Sequence, residues 1–167
     1  MADFMNIEVL LPEIRAYARS ICLSAIEAED LVQDAVERAL RSDTRPADLA
    51  DLRPWMFRVV RNLFYDELRK HRVRREYSTD QIRLSNDGYG VPNPENDILL
   101  RLAYEKLSPE FKEILFLVDV MGLKYVEAAR VIDAPKGTVM SRVSRARKAL
   151  LELVGRDDSK AAAMKRT

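Results

Sequence analysis

The sequence has too few cysteine and histidine residues for a disulfide or a Cys/His zinc site. Its 167 residues include one cysteine, Cys22, and one histidine, His71. A disulfide within the chain needs two cysteines, and a Cys/His zinc site needs about four ligands. The sequence also has no glycine-rich phosphate loop and no nucleophile in a recognisable setting with a histidine. We therefore expect no enzymatic activity, no metal or other cofactor, and no small-molecule substrate.

Long apolar runs are absent as well. No run approaches the roughly 20 residues that cross a bilayer. The first ten residues, MADFMNIEVL, carry acids where a secretory signal carries bases. We expect a cytoplasmic protein without membrane contact. With 47% hydrophobic residues, the chain can form the cores of one or two small domains.

The net charge of +1 hides an uneven distribution of charge. Residues 53–75 contain eight Lys or Arg and two acids, whereas residues 27–37 contain five acids and no base. Separate basic and acidic surfaces indicate two different kinds of partner.

Residues 125–151 contain two helical patterns separated by a short break. In the second pattern Val139, Val143, Ala146 and Leu150 recur at i, i+4, i+7 and i+11, so they share one side of a helix. The opposite side is polar and basic and carries Thr138, Ser141, Arg142, Arg145 and Lys148. A helix with such a cationic side can enter a DNA major groove. The alternative is an ordinary solvated surface helix.

The break between the two patterns favours DNA binding. Asp133, Ala134 and Pro135 interrupt the first pattern, and Gly137 and Thr138 restart the second. This spacing is typical of a helix-turn-helix. An Asp can adopt the left-handed conformation at such a turn, though less easily than Gly.

Helical spacing recurs through most of the remaining sequence, which predicts an all-α fold of two small helical domains joined by a flexible linker. The C-terminal domain is the helix-turn-helix domain. Residues 76–96 gather Gly, Pro, Asn and Asp and are typical of a linker. The predicted division is an N-terminal domain at 1–75, a linker at 76–96, a C-terminal domain at 97–154 and a fraying tail at 155–167.

Two helices of the predicted N-terminal domain are candidate binding surfaces. The helix at about 28–41 leaves acidic and amide side chains outside, which either bind a partner or are simply solvated. The helix from Pro54 places Phe57, Phe64 and Tyr65 among many cations. Aromatic rings beside cations suit single-stranded nucleic acid, because unpaired bases stack on rings while cations hold the backbone. The alternative is that these rings belong to the core.

Three stretches together resemble the sigma-70 family of bacterial transcription initiation factors, and specifically its extracytoplasmic-function (ECF) group. AEDLVQDAVERAL at 28–40 is similar to the helix that binds the polymerase clamp, and residues 53–75 are similar to the promoter-melting region. Residues 107–150 resemble the C-terminal promoter-reading domain. The departures are Asp133 where the family often has Gly, Val126 where it often has an acid, and Ala128 where a larger aliphatic residue is common.

The resemblance implies a role for each surface. The residues expected to bind core RNA polymerase are Asp30, Gln33 and Asp34. The residues expected to bind the minus-ten element are Asn62, which would receive an extruded base, and Arg58, Arg61 and Arg69, which would hold nearby backbone. The residues expected at the minus-35 element are Ser141, Arg142 and Arg145 on bases and Lys136, Thr138 and Lys148 on phosphates.

The implied function is promoter recognition, DNA melting and transcription initiation by a sigma factor bound to core RNA polymerase. Its partners would be core polymerase, promoter DNA as duplex and melted strand, and an anti-sigma factor. Two alternatives remain: a stand-alone helix-turn-helix regulator that binds a two-fold DNA site as a dimer, and a sigma-like mimic that acts by protein sequestration.

Overall fold

The computed structural model describes the backbone of residues 2–75 and 94–164, and the side chains of residues 6–72 and 98–156. The described backbone contains helices and no strand, as the sequence predicts. The N-terminal bundle consists of α1 (Ala2–Ile21), α2 (Ala25–Arg41) and α3 (Leu49–Arg75). The C-terminal bundle consists of α4 (Pro94–Glu105), α5 (Pro109–Leu115), a π-helical turn (Phe116–Val120), α6 (Tyr125–Ile132) and α7 (Lys136–Met164). The path of the predicted linker lies outside the described residues, apart from the start of α4.

Serine caps begin two of the helices. The Ser24 hydroxyl accepts a hydrogen bond from the Glu27 backbone N–H at 3.1 Å, at the start of α2. The Ser108 hydroxyl accepts one from the Phe111 N–H at 3.4 Å, and Pro109 follows as the first residue of α5. These bonds satisfy backbone donors that have no partner inside the helix, so both starts follow from local sequence.

The π-helical turn and the glycine after it change the direction of the chain between α5 and α6. Gly122 has φ of 70°, a left-handed conformation that costs glycine little. The Leu123 N–H then reaches back to the Leu117 carbonyl at 3.0 Å. A glycine after an apolar helix predicts a stop close to it, and the helical stretch ends at Val120, two residues before Gly122.

Helix α7 continues to Met164, beyond Val154, into the segment that the sequence predicts to fray. Residues 160–163 are Lys-Ala-Ala-Ala, which are strong helix formers. Helix propensity accounts for this continuation of α7.

The two bundles share one continuous core. Helix α3 packs against α1 and α2 and also against α6 of the C-terminal bundle. The buried apolar side chains of the two bundles form a single cluster. Among them, Tyr17 of α1 stacks on Phe116 of the π-helical turn, with ring centroids 6.3 Å apart. This packing brings α3 and the helix-turn-helix side by side.

Candidate DNA- and polymerase-binding surfaces

Helices α6 and α7 form the helix-turn-helix that the sequence predicts. Asp133 caps α6 in the left-handed conformation, with φ and ψ of 53°. The backbone N–H of Lys124 donates to the Glu127 carboxylate at 2.7 Å and fixes the other end of α6. Three residues after Asp133, Lys136 begins α7. An Asp thus takes the position at the turn that glycine favours.

The two sides of α7 differ as the pattern predicts. Val139, Val143 and Ala146 are almost completely buried, and Leu150 is half-buried. On the polar side Lys136, Ser141, Arg145 and Lys148 are exposed, whereas Thr138 and Arg142 are half-buried. Helix α7 therefore presents a cationic surface on which Thr138 and Arg142 are partly covered.

The candidate minus-ten residues lie along one stretch of α3. Arg58, Asn62 and Arg69 are exposed, and Arg61 is half-buried. The Arg61 guanidinium lies over the Tyr65 ring, 4.5 Å from its centroid. Cations and an aromatic ring are therefore adjacent here, which is the combination that binds an unpaired strand.

Three of these arginines are already bonded to carboxylates. The Arg61 Nε donates to Glu113 of α5 at 2.9 Å. Arg58 pairs with Asp133 at 3.5 Å, and Arg69 pairs with Asp66 of its own helix at 2.6 Å. The first two carboxylates belong to the C-terminal bundle. The structure thus brings the candidate minus-ten surface against the helix-turn-helix.

Tyr65 connects the two candidate DNA surfaces electrostatically. Burial raises the pKa of Tyr65, and the negative charge of Glu113 raises it further. The positive charges of Arg61 and Arg142 oppose this rise in the pKa. Arg142 of the recognition helix is therefore close enough to act on a ring of the candidate minus-ten surface.

The acidic surface of α2 lies elsewhere. Asp30, Gln33 and Asp34 are all exposed. Asp30 and Gln33 line a shallow groove between α1 and α2 whose apolar floor the sequence did not reveal. Its apolar lining consists of Leu11, Val32, Val36 and Leu40. A partner seated here would meet carboxylates beside apolar surface.

Sequence reasoning also missed Glu113 and Tyr17. The Tyr17 hydroxyl donates to the same Glu113 oxygen that accepts from Arg61, at 2.7 Å. Burial, followed by the charge of Glu113, raises the pKa of Tyr17 well above its usual value. The only sequence signal was an acid placed between Phe111 and Ile114 on a helix that has an apolar side.

Cys22 is a half-buried thiol that we expect to react slowly. Burial, aided by the nearby negative charge of Glu27, raises the pKa of Cys22 to about 12. The thiolate is the reactive form, so the thiolate fraction at pH 8 is far below that of a free thiol with a pKa of about 8.5. We expect iodoacetamide at pH 8 to label the folded chain on the order of a thousandfold more slowly than the urea-unfolded chain. Similar rates for the two states would contradict this assignment.

Neither a metal centre nor a membrane span is found in the described part of the chain. Among the described side chains, no group of three or more His, Cys, Asp or Glu could hold a metal ion. Within the same part of the chain, no helix combines the length and the apolar character that crossing a membrane requires.

Comparison with known proteins identifies the family. Residues 7–74 match the model of Sigma-70 region 2, and residues 98–150 match that of Sigma-70, region 4. The chain is 32% identical to the ECF RNA polymerase sigma factor EcfG of Rhodopseudomonas palustris (strain TIE-1) over 166 residues. That alignment covers 95% of this chain and 91% of EcfG.

Solved structures show the same relationship. The sigma factor RpoE of Bartonella quintana, crystallised with the anti-sigma factor NepR, is 30% identical with a TM-score of 0.70. The match covers 93% of this chain and 98% of that one. The PhyRSL–NepR complex from Sphingomonas sp. Fr1 has a TM-score of 0.71 at 17% identity, a likeness of fold alone, and covers 92% and 90% of the two chains. The chain belongs to the extracytoplasmic-function group of the sigma-70 family of RNA polymerase sigma factors.

Proposed function

We propose that this chain binds core RNA polymerase in the cytoplasm and directs it to promoters, where it promotes melting and initiation. The observation that carries the proposal is the pairing of a cationic helix-turn-helix with a cationic, aromatic α3 in a member of this family. We propose the functional division 1–75, 76–96, 97–154 and 155–167, in which 1–75 binds polymerase and the minus-ten element and 97–154 binds the minus-35 element.

The α2 surface is proposed to dock on polymerase. Asp30, Gln33 and Asp34 are exposed along the helix, and the apolar groove beside them supplies area that excludes water. Charged groups at the edge of an interface set orientation and association rate, whereas apolar contacts supply much of the affinity. The two kinds of side chain together suit a helical protein partner with basic residues.

The α3 surface is proposed to hold the melted strand. Asn62 has both a donor and an acceptor for the edge of a flipped base, and Tyr65 offers a ring for stacking. Arg58, Arg61 and Arg69 are proposed to contact backbone phosphates. Preferential binding of the open strand shifts the equilibrium towards melting, so no catalytic chemistry is needed.

The α7 surface is proposed to read the minus-35 element in the major groove. Ser141, Arg142 and Arg145 are placed on base edges, and an arginine can bind guanine with two hydrogen bonds. Lys136, Thr138 and Lys148 are placed on phosphates, which position the helix without reading sequence.

An anti-sigma protein is proposed as a further partner. The related RpoE of Bartonella quintana was crystallised with the anti-sigma factor NepR. The likeness to that chain covers 93% of this one, so the surfaces of both bundles have counterparts there. We further propose that the chain needs neither a cofactor nor a catalytic site of its own, because binding alone accounts for each step.

The function is tested by mixing the purified chain with bacterial core polymerase and a promoter library, then sequencing transcript starts. The expected result is initiation at a common promoter pattern that core polymerase alone does not use. Tight binding of the isolated chain to a two-fold duplex site, with no polymerase-dependent starts, would instead indicate a stand-alone regulator. Failure to bind core polymerase and to direct any start would overturn the proposal.

A further inference from the structure

Helix α7 has one exposed apolar side chain in its first two turns, and none of the proposed base or phosphate contacts uses it. Met140 is 48% exposed, although Val139 before it is completely buried. A single exposed apolar residue is ordinary on a protein surface. Met140, however, lies soon after the start of α7 at Lys136, and the N-terminal part of the second helix of a helix-turn-helix contacts base edges.

Met140 lies on one flank of the outward side of α7. The buried row of this helix includes Val139 and Val143. Successive residues of a helix are about 100° apart. Met140 directly follows one of these buried residues and Arg142 directly precedes the other, so they lie on opposite flanks of the row, with Ser141 between them. Arg142 is half-buried, so Met140 is the more accessible of the two flanking side chains.

The neighbours of Met140 along the helix surface are small. Residues three and four apart are neighbours on a helix, and these are Gly137 before Met140 and Ser144 after it. Gly137 is exposed, and no atom lies within 4 Å of the position that a Cβ would take there. Helical side chains lean towards the N-terminus, which directs Met140 towards this open position. Met140 is therefore the longest side chain in its row and meets no obstacle there.

Apolar surface from α6 lies next to the methionine. Met140 and Tyr125, the first residue of α6, line a shallow groove together with Val143 and Leu151. An apolar group placed against Met140 would therefore be shielded from water on this side as well. Removal of apolar surface from water is what makes such a contact favourable.

The major groove offers one group that suits such a side chain. Among the four bases, only thymine presents a methyl group there, whereas the other groups at the base edges are hydrogen-bond donors and acceptors. The methionine thioether is no more than a weak acceptor, so it gains little from those groups. It is unbranched and polarizable, and it adapts well to an apolar surface of irregular shape.

We propose that Met140 recognises the 5-methyl group of a thymine in the minus-35 element, at a base pair next to the one that Ser141 contacts. This assignment rests on the proposed function, because it requires α7 to lie in the major groove of that element. Met140 thus adds an apolar contact to the hydrogen bonds of the neighbouring polar side chains and favours thymine over the other bases at its position.

The test removes the methyl group from the DNA and the side chain from the protein, separately and together. The holoenzyme, in which the full chain is bound to core polymerase, is prepared with the parent chain, with Met140→Ala and with Met140→Leu. The DNA is the promoter duplex that the parent prefers, and a set of duplexes in which one thymine of the minus-35 element at a time is replaced by deoxyuridine. This replacement removes only the methyl group. Kd is measured for every combination at one fixed salt concentration.

We expect deoxyuridine at one position to weaken binding of the parent holoenzyme about fourfold, because one methyl-sized apolar contact is lost. Met140→Ala should weaken binding to the thymine duplex by about the same factor and should show no further loss on that deoxyuridine duplex. Met140→Leu keeps an apolar side chain of similar volume, so at least about a twofold effect of the methyl group should remain. Met140 is exposed and Ala is the best helix former, so the fold should be retained.

The matched control is Leu151→Ala, which removes another exposed apolar side chain of α7 from the same groove, at a point further from the start of the helix. It should respond to each deoxyuridine as the parent does. If Met140→Ala also kept the full effect of every methyl group, or if no methyl group mattered to the parent, Met140 would not read thymine and the rest of the proposed function would stand. Failure of the parent holoenzyme to bind any promoter would reject the proposed function, and the assignment of Met140 with it.

Discussion

Replacing both Asp30 and Asp34 by Lys is expected to weaken binding to core polymerase at least about a hundredfold and to abolish promoter-directed transcription. The proposed partner surface is basic, so each substitution places like charges opposite one another, which costs several kcal/mol. About 2.7 kcal/mol already corresponds to a hundredfold change in Kd. Both side chains are exposed on α2, and Lys is a better helix former than Asp, so the fold should be retained.

The control variant reverses the charge of two acidic residues that are not among the candidate polymerase-binding residues. Glu8 of α1 and Asp43 after α2 are also exposed, and the pair Glu8→Lys and Asp43→Lys changes the net charge by the same amount. For each double variant, the Kd of the complex between the fluorescently labelled chain and core polymerase is measured. If only the Asp30 and Asp34 variant loses binding, the α2 surface is the one that contacts core polymerase. If its Kd is unchanged, α2 is not that surface.

Local sequence was enough to predict helix starts, helix stops and turns, because each depends on residues next to it in the chain. The sequence offers Ser24 or Glu27 for the start of α2, Ser108 for the start of α5, a stop near Gly122 and a turn at Asp133. Each of these signals depends on one or two adjacent residues. The buried side of α7 followed from the spacing of its apolar residues. These features are set by backbone hydrogen bonding and by the 3.6-residue period, both of which act over short distances along the chain.

The exact buried positions of the N-terminal helices were harder to predict. The apolar spacing of residues 7–19 predicts that Val9 faces inward, and that of residues 28–41 predicts the same for Leu40, but these side chains are 64% and 43% exposed. The buried side chains of α3 include Met56, Phe57 and Val60, whereas Trp55 and Val59 are only half-buried. Helix α3 packs against helices of both bundles, so the tertiary structure decides which of its apolar residues are covered.

The contact between the bundles could not be predicted from the sequence. Glu113 and Arg61 are 52 residues apart, and Tyr17 is 96 residues from Glu113. An acid within a partly apolar helix gives no indication of its partner, since surface ion pairs of similar composition are common and weak. The candidate site residues were therefore identifiable one helix at a time, whereas the bonds that join Arg61 and Tyr17 to Glu113 required the tertiary structure.

Replacing Arg142 by Ala is expected to weaken promoter binding by the holoenzyme about 5- to 150-fold. This range corresponds to the roughly 1–3 kcal/mol of discrimination that a bidentate arginine–guanine pair provides. The loss should be confined to promoters with the preferred base, so base preference at that position should relax. Arg142→Lys should restore little of the lost promoter affinity, because a single ammonium group cannot form the two parallel hydrogen bonds of a guanidinium.

The comparison with Arg147→Ala separates base reading from simple loss of charge. Arg147 lies on the same helix, but it is exposed and pairs with Asp119, with its Nε 3.1 Å from the carboxylate. Its removal lowers the positive charge of α7 equally, so it should weaken all sequences by a similar small factor and leave base preference intact. Binding of the holoenzyme to a set of single-base promoter variants measures both effects. If Arg142→Ala behaved like Arg147→Ala across that set, Arg142 would be a phosphate contact, and the specificity of α7 would have to come from Ser141 and Arg145.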